Sequence, residues 1–423
     1  MDDSYQYLFV LGTTPAISLA ELYFLSKDVG GEWHYRYWSK HAVVIETTLA
    51  PEKILTLAKR FGGIVKLARI HRAVEKIEHD DCIALLPRND QKVYFGISYY
   101  SLNTSIQAQF SQHVKQLGVA IKTRLRVQGI ASRFVTSRED TLSAVVVTTN
   151  KLLSSRGAEI VIAGIERGRF LLGTTLYVQP YESFAYRDMG RPKRDARAGM
   201  IPPKLARIML NIVFGGVPRP FSFLDPFCGS GTILQEALSL GIDDIYGSDQ
   251  DPHAVQRTRD NIAWYTSRGQ GPQTSLPSHV HLHTGDARNV HVLYQSVRVK
   301  GIATEPYLGP PLTRPLTFTG GQLLSREVAP LYYESLASCA RLLPLGGRIA
   351  MVWPYWYTTS GQHVFVPEDP QIIRRGLRPL ALLPSSFIQK LQTRDGYHAA
   401  RASLLYSRVD QFVSREIKVF EKI

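Results

Sequence analysis

Three carboxylates close short apolar stretches in the second half of this 423-residue chain: Asp225 after Phe221-Ser-Phe-Leu, Asp249 after Asp244-Ile-Tyr-Gly-Ser, and Asp286 after His279-Val-His-Leu-His-Thr-Gly. Asp225 runs into Pro-Phe-Cys-Gly-Ser-Gly-Thr, a strand-to-helix turn. Gly229 and Gly231 let that backbone approach a ligand and aim the amides of the next helix at it. A P-loop needs Lys-Ser/Thr after its last glycine, where Thr232-Ile233 stands, and the dinucleotide pattern needs a third glycine, where Leu234 stands. Both phosphate-cradling readings weaken. A carboxylate at the strand end suits a ligand that carries a cation, and Asp249 sits where doubly wound enzymes hydrogen-bond ribose hydroxyls. The acidic strand ends therefore point to a cationic nucleoside. Asp251-Pro252 reads as the cap of the following helix and is held out of the site.

The string Asp225-Pro-Phe-Cys-Gly-Ser-Gly-Thr232 resembles the first motif of class I S-adenosylmethionine methyltransferases, in the variant of RNA and DNA amino-methylating enzymes. The resemblance implies that Asp225, Phe227, Gly229, Gly231, Thr232 and Asp249 hold S-adenosyl-L-methionine. Gly285-Asp286-Ala287 resembles the third motif, in which the carboxylate of Asp286 meets the adenine amine and the backbone at Ala287 packs along the ring. Relatives carry Asp-Pro-Pro-Tyr or Asn-Pro-Pro-Tyr as the fourth motif, and here Thr304 is followed by Glu305-Pro-Tyr-Leu308. An exocyclic guanine amine is a poor nucleophile because its lone pair is delocalised into the ring. Acceptors that favour a pyramidal nitrogen must hold it in line with the methyl. Glu305 and the carbonyl of Pro306 are the candidate acceptors, and Tyr307 the candidate stacking ring for a flipped base. No cysteine occurs in residues 301–312, which disfavours the pyrimidine C5 chemistry that needs one.

Before the first motif, apolar periodicity predicts strands at Tyr7–Gly12 and Ala42–Glu46, helices at Ala16–Leu25 and from Pro51 to about Arg60, then strands at Ile64–Ile70 and Val93–Ser98 and a helix at about 105–117. Thr141–Leu153 reads as a helix stopped by Gly157, and Ala158–Ala163 with Arg169–Tyr177 as a hairpin-like pair. The opening Tyr7–Leu22 resembles that of the THUMP-containing tRNA guanosine N2-methyltransferases, and the order helix, Leu-Leu-Ser-Ser-Arg-Gly, strand is similar to the THUMP RNA-binding domain. Lys122, Arg124, Arg126, Arg133, Arg138, Lys151, Arg156, Arg167 and Arg169 are either an RNA-facing surface or a solvated basic face. The cation-rich stretch from Arg187 to Lys204, followed by an amphipathic helix Lys204–Ile212, closely resembles the junction before the catalytic domain of the same family. As a lid over cofactor and base it would offer Arg187, Arg191, Arg194, Asp195 and Lys204 to the substrate; as a domain-packing segment it would not. Late strands are expected at Gly347–Trp353, Leu380–Leu383 and Ala402–Tyr406, with helices at Val328–Leu342 and near Ile372.

The expected organisation is α/β: an N-terminal ferredoxin-like α+β domain at 1–60, a THUMP-like RNA-binding domain at 61–180, a basic linker at 181–202, and a Rossmann-like class I methyltransferase domain with a mostly parallel sheet at 203–423. A formal charge of +14 calls for a polyanionic partner. Cys82, Cys228 and Cys339 form no C-x-x-C pair, which argues against a disulfide framework and a cysteine zinc site. His279, His281 and His283 share one face of an expected edge strand, and an exposed polar face explains them better than a metal. The N-terminus lacks a signal-type n-region and no stretch approaches a spanning helix, so a cytoplasmic protein without a membrane role is expected. The resemblance implies transfer of a methyl group to N2 of a guanosine in tRNA. Two alternatives stay open: a DNA amino-methyltransferase, and a non-catalytic or partner-dependent RNA-binding protein with a degenerate site. Some relatives of this family need a small activating subunit, and the sequence leaves that open here.

Overall fold

The computed structural model describes residues 4–88, 91–103, 107–166, 168–194, 200–215, 220–267, 277–408 and 411–423. The chain forms two compact units, Met1–Pro15 with Val29–Tyr181, and Ala16–Asp28 with Glu182–Ile423.

The chain opens β1 (Tyr5–Leu11), α1 (Pro15–Ser26), β2 (Trp33–Trp38), β3 (Ala42–Thr47), α2 (Pro51–Ala58), β4 (Ile64–Val74). This βαββαβ order with antiparallel strands β2-β3-β1-β4 is the ferredoxin-like pattern. The sheet continues through β5 (Val93–Ser101), β6 (Ser132–Val135), β7 (Gly157–Glu166) and β8 (Arg169–Val178), giving β2-β3-β1-β4-β8-β7-β5-β6, while α3 (His79–Ile83), α4 (Gln107–Val127) and α5 (Ala144–Thr149) lie between them in sequence. Edge strand β2, Trp-His-Tyr-Arg-Tyr-Trp, has no apolar run to betray it. The helix expected over Thr141–Leu153 shortens to α5, whose cap is Ser143. Its Val and Thr residues lose rotamer freedom in a helix, and Lys151 turns the chain out at φ +56°, so Gly157 opens β7 instead of stopping a helix. A buried ion pair ties the strands together. Lys66 Nζ meets Glu159 Oε1 at 2.5 Å and the Leu142 carbonyl at 2.7 Å, while Thr175 donates to Glu159 Oε2 at 2.7 Å. Every oxygen of a fully buried carboxylate is thereby satisfied.

The second unit follows as α6 (Tyr181–Met189), α7 (Pro203–Phe214), β9 (Ser222–Asp225), α8 (Thr232–Ser239), β10 (Asp244–Asp249), α9 (Pro252–Thr266), β11 (Val280–Thr284), α10 (Val290–Leu293), β12 (Gly301–Thr304), α11 (Phe318–Ala340) and β13 (Arg348–Tyr357). Five parallel strands stand in the order β11-β10-β9-β12-β13. The chain starts in the middle, steps outward to β11 and returns on the other side at β12. Such a reversal opens a crevice at the carboxyl ends of β9 and β12, where doubly wound folds bind ligands. β14 (His363–Phe365), β15 (Leu377–Pro379), β16 (Tyr397–His398), β17 (Ser403–Tyr406) and β18 (Val413–Lys422) extend the sheet antiparallel, with α12 (Ser385–Ile388) between β15 and β16 in sequence.

The helix expected at Lys204–Ile212 is α7, with Pro203 at its first turn; apart from Lys204 every one of its residues is buried, so it packs as a core helix. α1 groups with this unit, and Asn211 Nδ2 donates to Glu21 Oε1 at 2.6 Å. The helix expected near Ile372 is a run of turns, and Leu380–Leu383 is not a strand; β15 pairs with β18 just before it. Pro379 and Pro384 bracket that stretch, and neither can donate to a ladder.

Candidate active site

The site is built from the bottom at Asp225. Strand β9 delivers its carboxylate to the switch point, 1% exposed, where Oδ1 accepts the Thr304 hydroxyl at 2.6 Å and the Phe227 amide at 3.1 Å. Burial pushes its pKa up to about 7 against the pull of those two bonds, and the nearby Asp249 and Glu305 add to the rise. The turn that follows needs its glycines: Gly229 has φ +55° and Gly231 φ +84°, and a Cβ at Gly231 would stand 2.9 Å from Thr258 Cγ2. Helix α9 clamps the turn from below, with Thr258 Oγ1 donating to the Gly229 carbonyl at 2.9 Å and Asn261 Nδ2 to the Ser230 carbonyl at 2.8 Å.

Asp249 lies across this turn at the end of β10. Its two oxygens accept the Gly229 and Asp251 amides, each at 3.0 Å. Burial raises its pKa, opposed by those amides. Asp251 caps α9 through the His253 amide at 2.9 Å. At the end of β11, Asp286 accepts the Arg288 amide at 2.9 Å and pairs with the Arg288 guanidinium, which holds its carboxyl below the usual range; Ala287 is buried at the start of a short 3-10 turn. β11 is the sheet edge, and the His281 ring stacks on Tyr246 at 4.9 Å.

The fourth-motif segment leaves β12 beside Asp225. The Glu305 carboxylate is gripped at both oxygens by Arg415 of β18, Nε to Oε2 at 2.5 Å and Nη2 to Oε1 at 3.0 Å. Pro306 is buried, and Tyr307 is 56% exposed with its carbonyl accepting the Tyr332 hydroxyl at 2.8 Å. Sequence reading missed Thr304, Tyr332 and Arg415. Thr304 had a signal, being the last residue of a strand that ends at the switch; Arg415 had none, because nothing local links it to a residue 110 positions away.

The junction carries two open readings. Arg187 and Arg191, which the lid reading would offer to a substrate, are 4% and 3% exposed. Arg187 forks onto Glu236 of α8, which also takes Arg207 Nε at 2.8 Å, and both guanidinium groups lie over the Phe184 ring. Arg191 Nη1 donates to Thr232 Oγ1 at 2.5 Å. Asn261 fixes Lys193 through both its amide, at 2.9 Å, and its carbonyl, at 2.8 Å, and Ser230 Oγ meets Met200 Sδ at 3.4 Å. Arg187 is thus a structural cation satisfied in the core, whereas Arg191 is buried with Nε and Nη2 lacking a hydrogen-bond partner among the described residues, Asp188 Oδ1 standing 3.8 Å from Nη2. Arg194 and Lys204 are exposed, and Asp195 lies outside the described residues.

The acceptors at the strand ends fit a cationic nucleoside cofactor. Among the described residues, Glu305 and Asp286 have arginine partners, whereas no Lys, Arg or His stands within ion-pair reach of Asp225 or Asp249. Beside those two unpaired carboxylates, the missing Cβ of Gly229 leaves open space, with only the Phe227 carbonyl at 3.9 Å.

Residues 191–318 match the family described as "UPF0020: RMKL-like, methyltransferase domain". A tRNA (guanine(10)-N2)-dimethyltransferase from Methanothermobacter thermautotrophicus is 30% identical over 190 residues, 44% of this chain and 48% of that one, so the match spans about half of that relative. The crystal structure of TrmN from Thermus thermophilus is similar over 100% of both chains at TM-score 0.50 and 16% identity, a likeness of fold. Residues 191–318 thus match a methyltransferase-domain family, and the sheet that carries them has a Rossmann-like strand order and a fold similar to that of TrmN.

Proposed function

We propose that this chain transfers a methyl group from S-adenosylmethionine to the N2 amine of a guanosine in tRNA. The observation that carries the reading is the meeting, at one switch point, of a glycine turn, two unpaired carboxylates and an acceptor-bearing Glu-Pro-Tyr segment. Asp225, Asp249, Gly229 and Gly231 would hold the cofactor, with Phe227, Thr232, Asp286 and Ala287 around it. When bound, the cofactor supplies an electrophilic methyl on a sulfonium. The protein's part is to hold the amine: the Glu305 carboxylate and the Pro306 carbonyl accept its N–H groups, and the exposed Tyr307 ring offers a stacking face to a base turned out of its helix. The matched relative is named for tRNA guanine N2 chemistry, and a net charge of +14 favours a polyanion.

Exposed Lys122, Arg124, Arg126, Arg133, Arg138, Lys151, Arg156 and Arg169, within residues 61–180 read as a THUMP-like domain, would grip the RNA backbone; Arg194 and Lys204 are exposed candidates of the second unit, and Arg167 lies outside the described residues. No helix among the described residues is long and apolar enough to cross a membrane. A cytoplasmic enzyme, with or without a small activating subunit, is the setting this reading implies. Incubation of the full chain with unmodified tRNA transcript and methyl-labelled S-adenosylmethionine, followed by nucleoside mass spectrometry, tests it. N2-methylguanosine is expected. N6-methyladenosine on duplex DNA in place of it would move the chain to the DNA amino-methyltransferases, and tRNA binding with no label transferred would favour a degenerate or partner-dependent site.

A further inference from the structure

Glu305 stands where relatives carry a shorter acid or its amide, and the structure gives a physical reason for the longer side chain. Arg415 sits in the body of β18, opposite Pro354 of β13 and Tyr406 of β17, so the sheet fixes its backbone. Its side chain is 3% exposed and that of Glu305 12%. The fork reaches both carboxylate oxygens, at 2.5 and 3.0 Å, and Gln411 Oε1 lies 3.4 Å from Nη1. Burial works against the charge on Arg415, yet the Glu305 carboxylate more than offsets it and raises the guanidinium pKa. A two-pronged contact of this kind fixes a carboxylate plane as well as its position.

We propose that Arg415 is a positioning residue for the methyl-transfer site, and that the Glu305–Arg415 fork, rather than a free carboxylate, is the unit that aims the acceptor at the target amine. This rests on the function proposed above. Each carboxylate oxygen has two lone pairs; the fork takes one on each and leaves the outward ones to accept an N–H from the amine. On the other side Thr304, the residue before Glu305, is tied to Asp225, so the acceptor is anchored both to the cofactor turn and to the far side of the sheet. Glu is then required for reach. An Asp at this position, although it is the acid of the relatives' motif, would fall short of a fork whose backbone cannot follow.

The test uses the full chain and four variants, E305D, E305Q, R415K and R415M, with the double variant E305Q/R415M. Melting comes first, since it needs no activity. The double variant is expected to lose less than the sum of the two single losses, and E305Q to melt below R415M because it strands the more deeply buried charge. In transfer assays, R415M is expected to lower kcat on the order of 100-fold, the scale of an acceptor misplaced by about an ångström. R415K should recover part of that loss and E305D should fall at least 10-fold below the parent, with S-adenosylhomocysteine affinity unchanged within about two-fold, because the groups assigned to the cofactor are untouched. Additive melting losses, or E305D as active as the parent, would overturn the proposal. A parent chain that transfers no methyl group sinks the functional reading instead, and the melting cycle then decides alone whether the fork is a built element.

Discussion

The Thr304 hydroxyl donates to Asp225 Oδ1 at 2.6 Å, joining the ends of β12 and β9 across the point where the strand order reverses. The bond closes one wall of the crevice. It also fixes the residue before Glu305 relative to the cofactor turn, so the two halves of the chemistry share one rigid floor.

Asp225 makes the stability of the ligand-free chain depend on pH. The folded chain keeps a proton on it to about pH 7, whereas an unfolded aspartate releases its proton near pH 4. Folding therefore binds a proton in that window, and the contribution of this group is full below about pH 4, is lost as pH rises through about 7, and is flat above. D225N keeps the acceptor for Thr304 and Phe227 without the charge. It is expected to raise Tm relative to the parent at pH 8, to converge with it at pH 4, and to abolish S-adenosylhomocysteine binding. Calorimetric melts at the two pH values and a titration check this; a D225N protein that melts below the parent at pH 8 would count against a buried proton.

Gly231 admits no side chain for two independent reasons, its φ of +84° and the 2.9 Å approach to Thr258 Cγ2. Left-handed backbone alone costs about 1–2 kcal/mol for an ordinary residue. G231A is expected to lower Tm by several degrees. G231A combined with T258S, which removes the clashing methyl, should recover only the steric part, and full recovery would show that the backbone conformation is not strained.

Arg187 is predicted to matter for folding and not for RNA. Breaking a buried ion pair by removing one partner costs about 3–5 kcal/mol. R187M leaves Glu236 paired with Arg207, so it is expected to reduce denaturant stability by less than that full scale, while the folded fraction binds tRNA with the parent's salt dependence. A reduced salt slope without loss of stability would return Arg187 to the substrate.

Charge removal on the first unit should do the reverse. Lys122, Arg126 and Arg156 are exposed. Changing all three to Gln is expected to leave melting within about a degree and to weaken tRNA binding, with the slope of log K against log salt falling by roughly two to three, near one for each phosphate that is no longer neutralised. An unchanged slope would mark these cations as a solvated face.

By itself the sequence determined what is local. The run from Asp225 to Thr232 specified a strand, a tight turn and a helix because glycine is needed where φ turns positive, and Asp251-Pro252 specified a helix start because the acid accepts a first-turn amide and the proline has no N–H to satisfy. Asp225 and Asp249 carried the nucleoside reading because each is the acidic end of its own strand. Tertiary structure decided where long side chains spend their charge. Arg187 and Arg191 look like substrate ligands in a row of cations, yet Glu236 and Thr232, brought to them by α8, took them into the core. Arg415, unremarkable in a C-terminal strand, became the partner of Glu305 because sheet pairing laid β18 beside β13 and so within reach of the end of β12. A backbone turn is chosen by its own few residues, whereas a buried charge is stable only beside an opposite charge, and which one lies within reach is fixed by the fold.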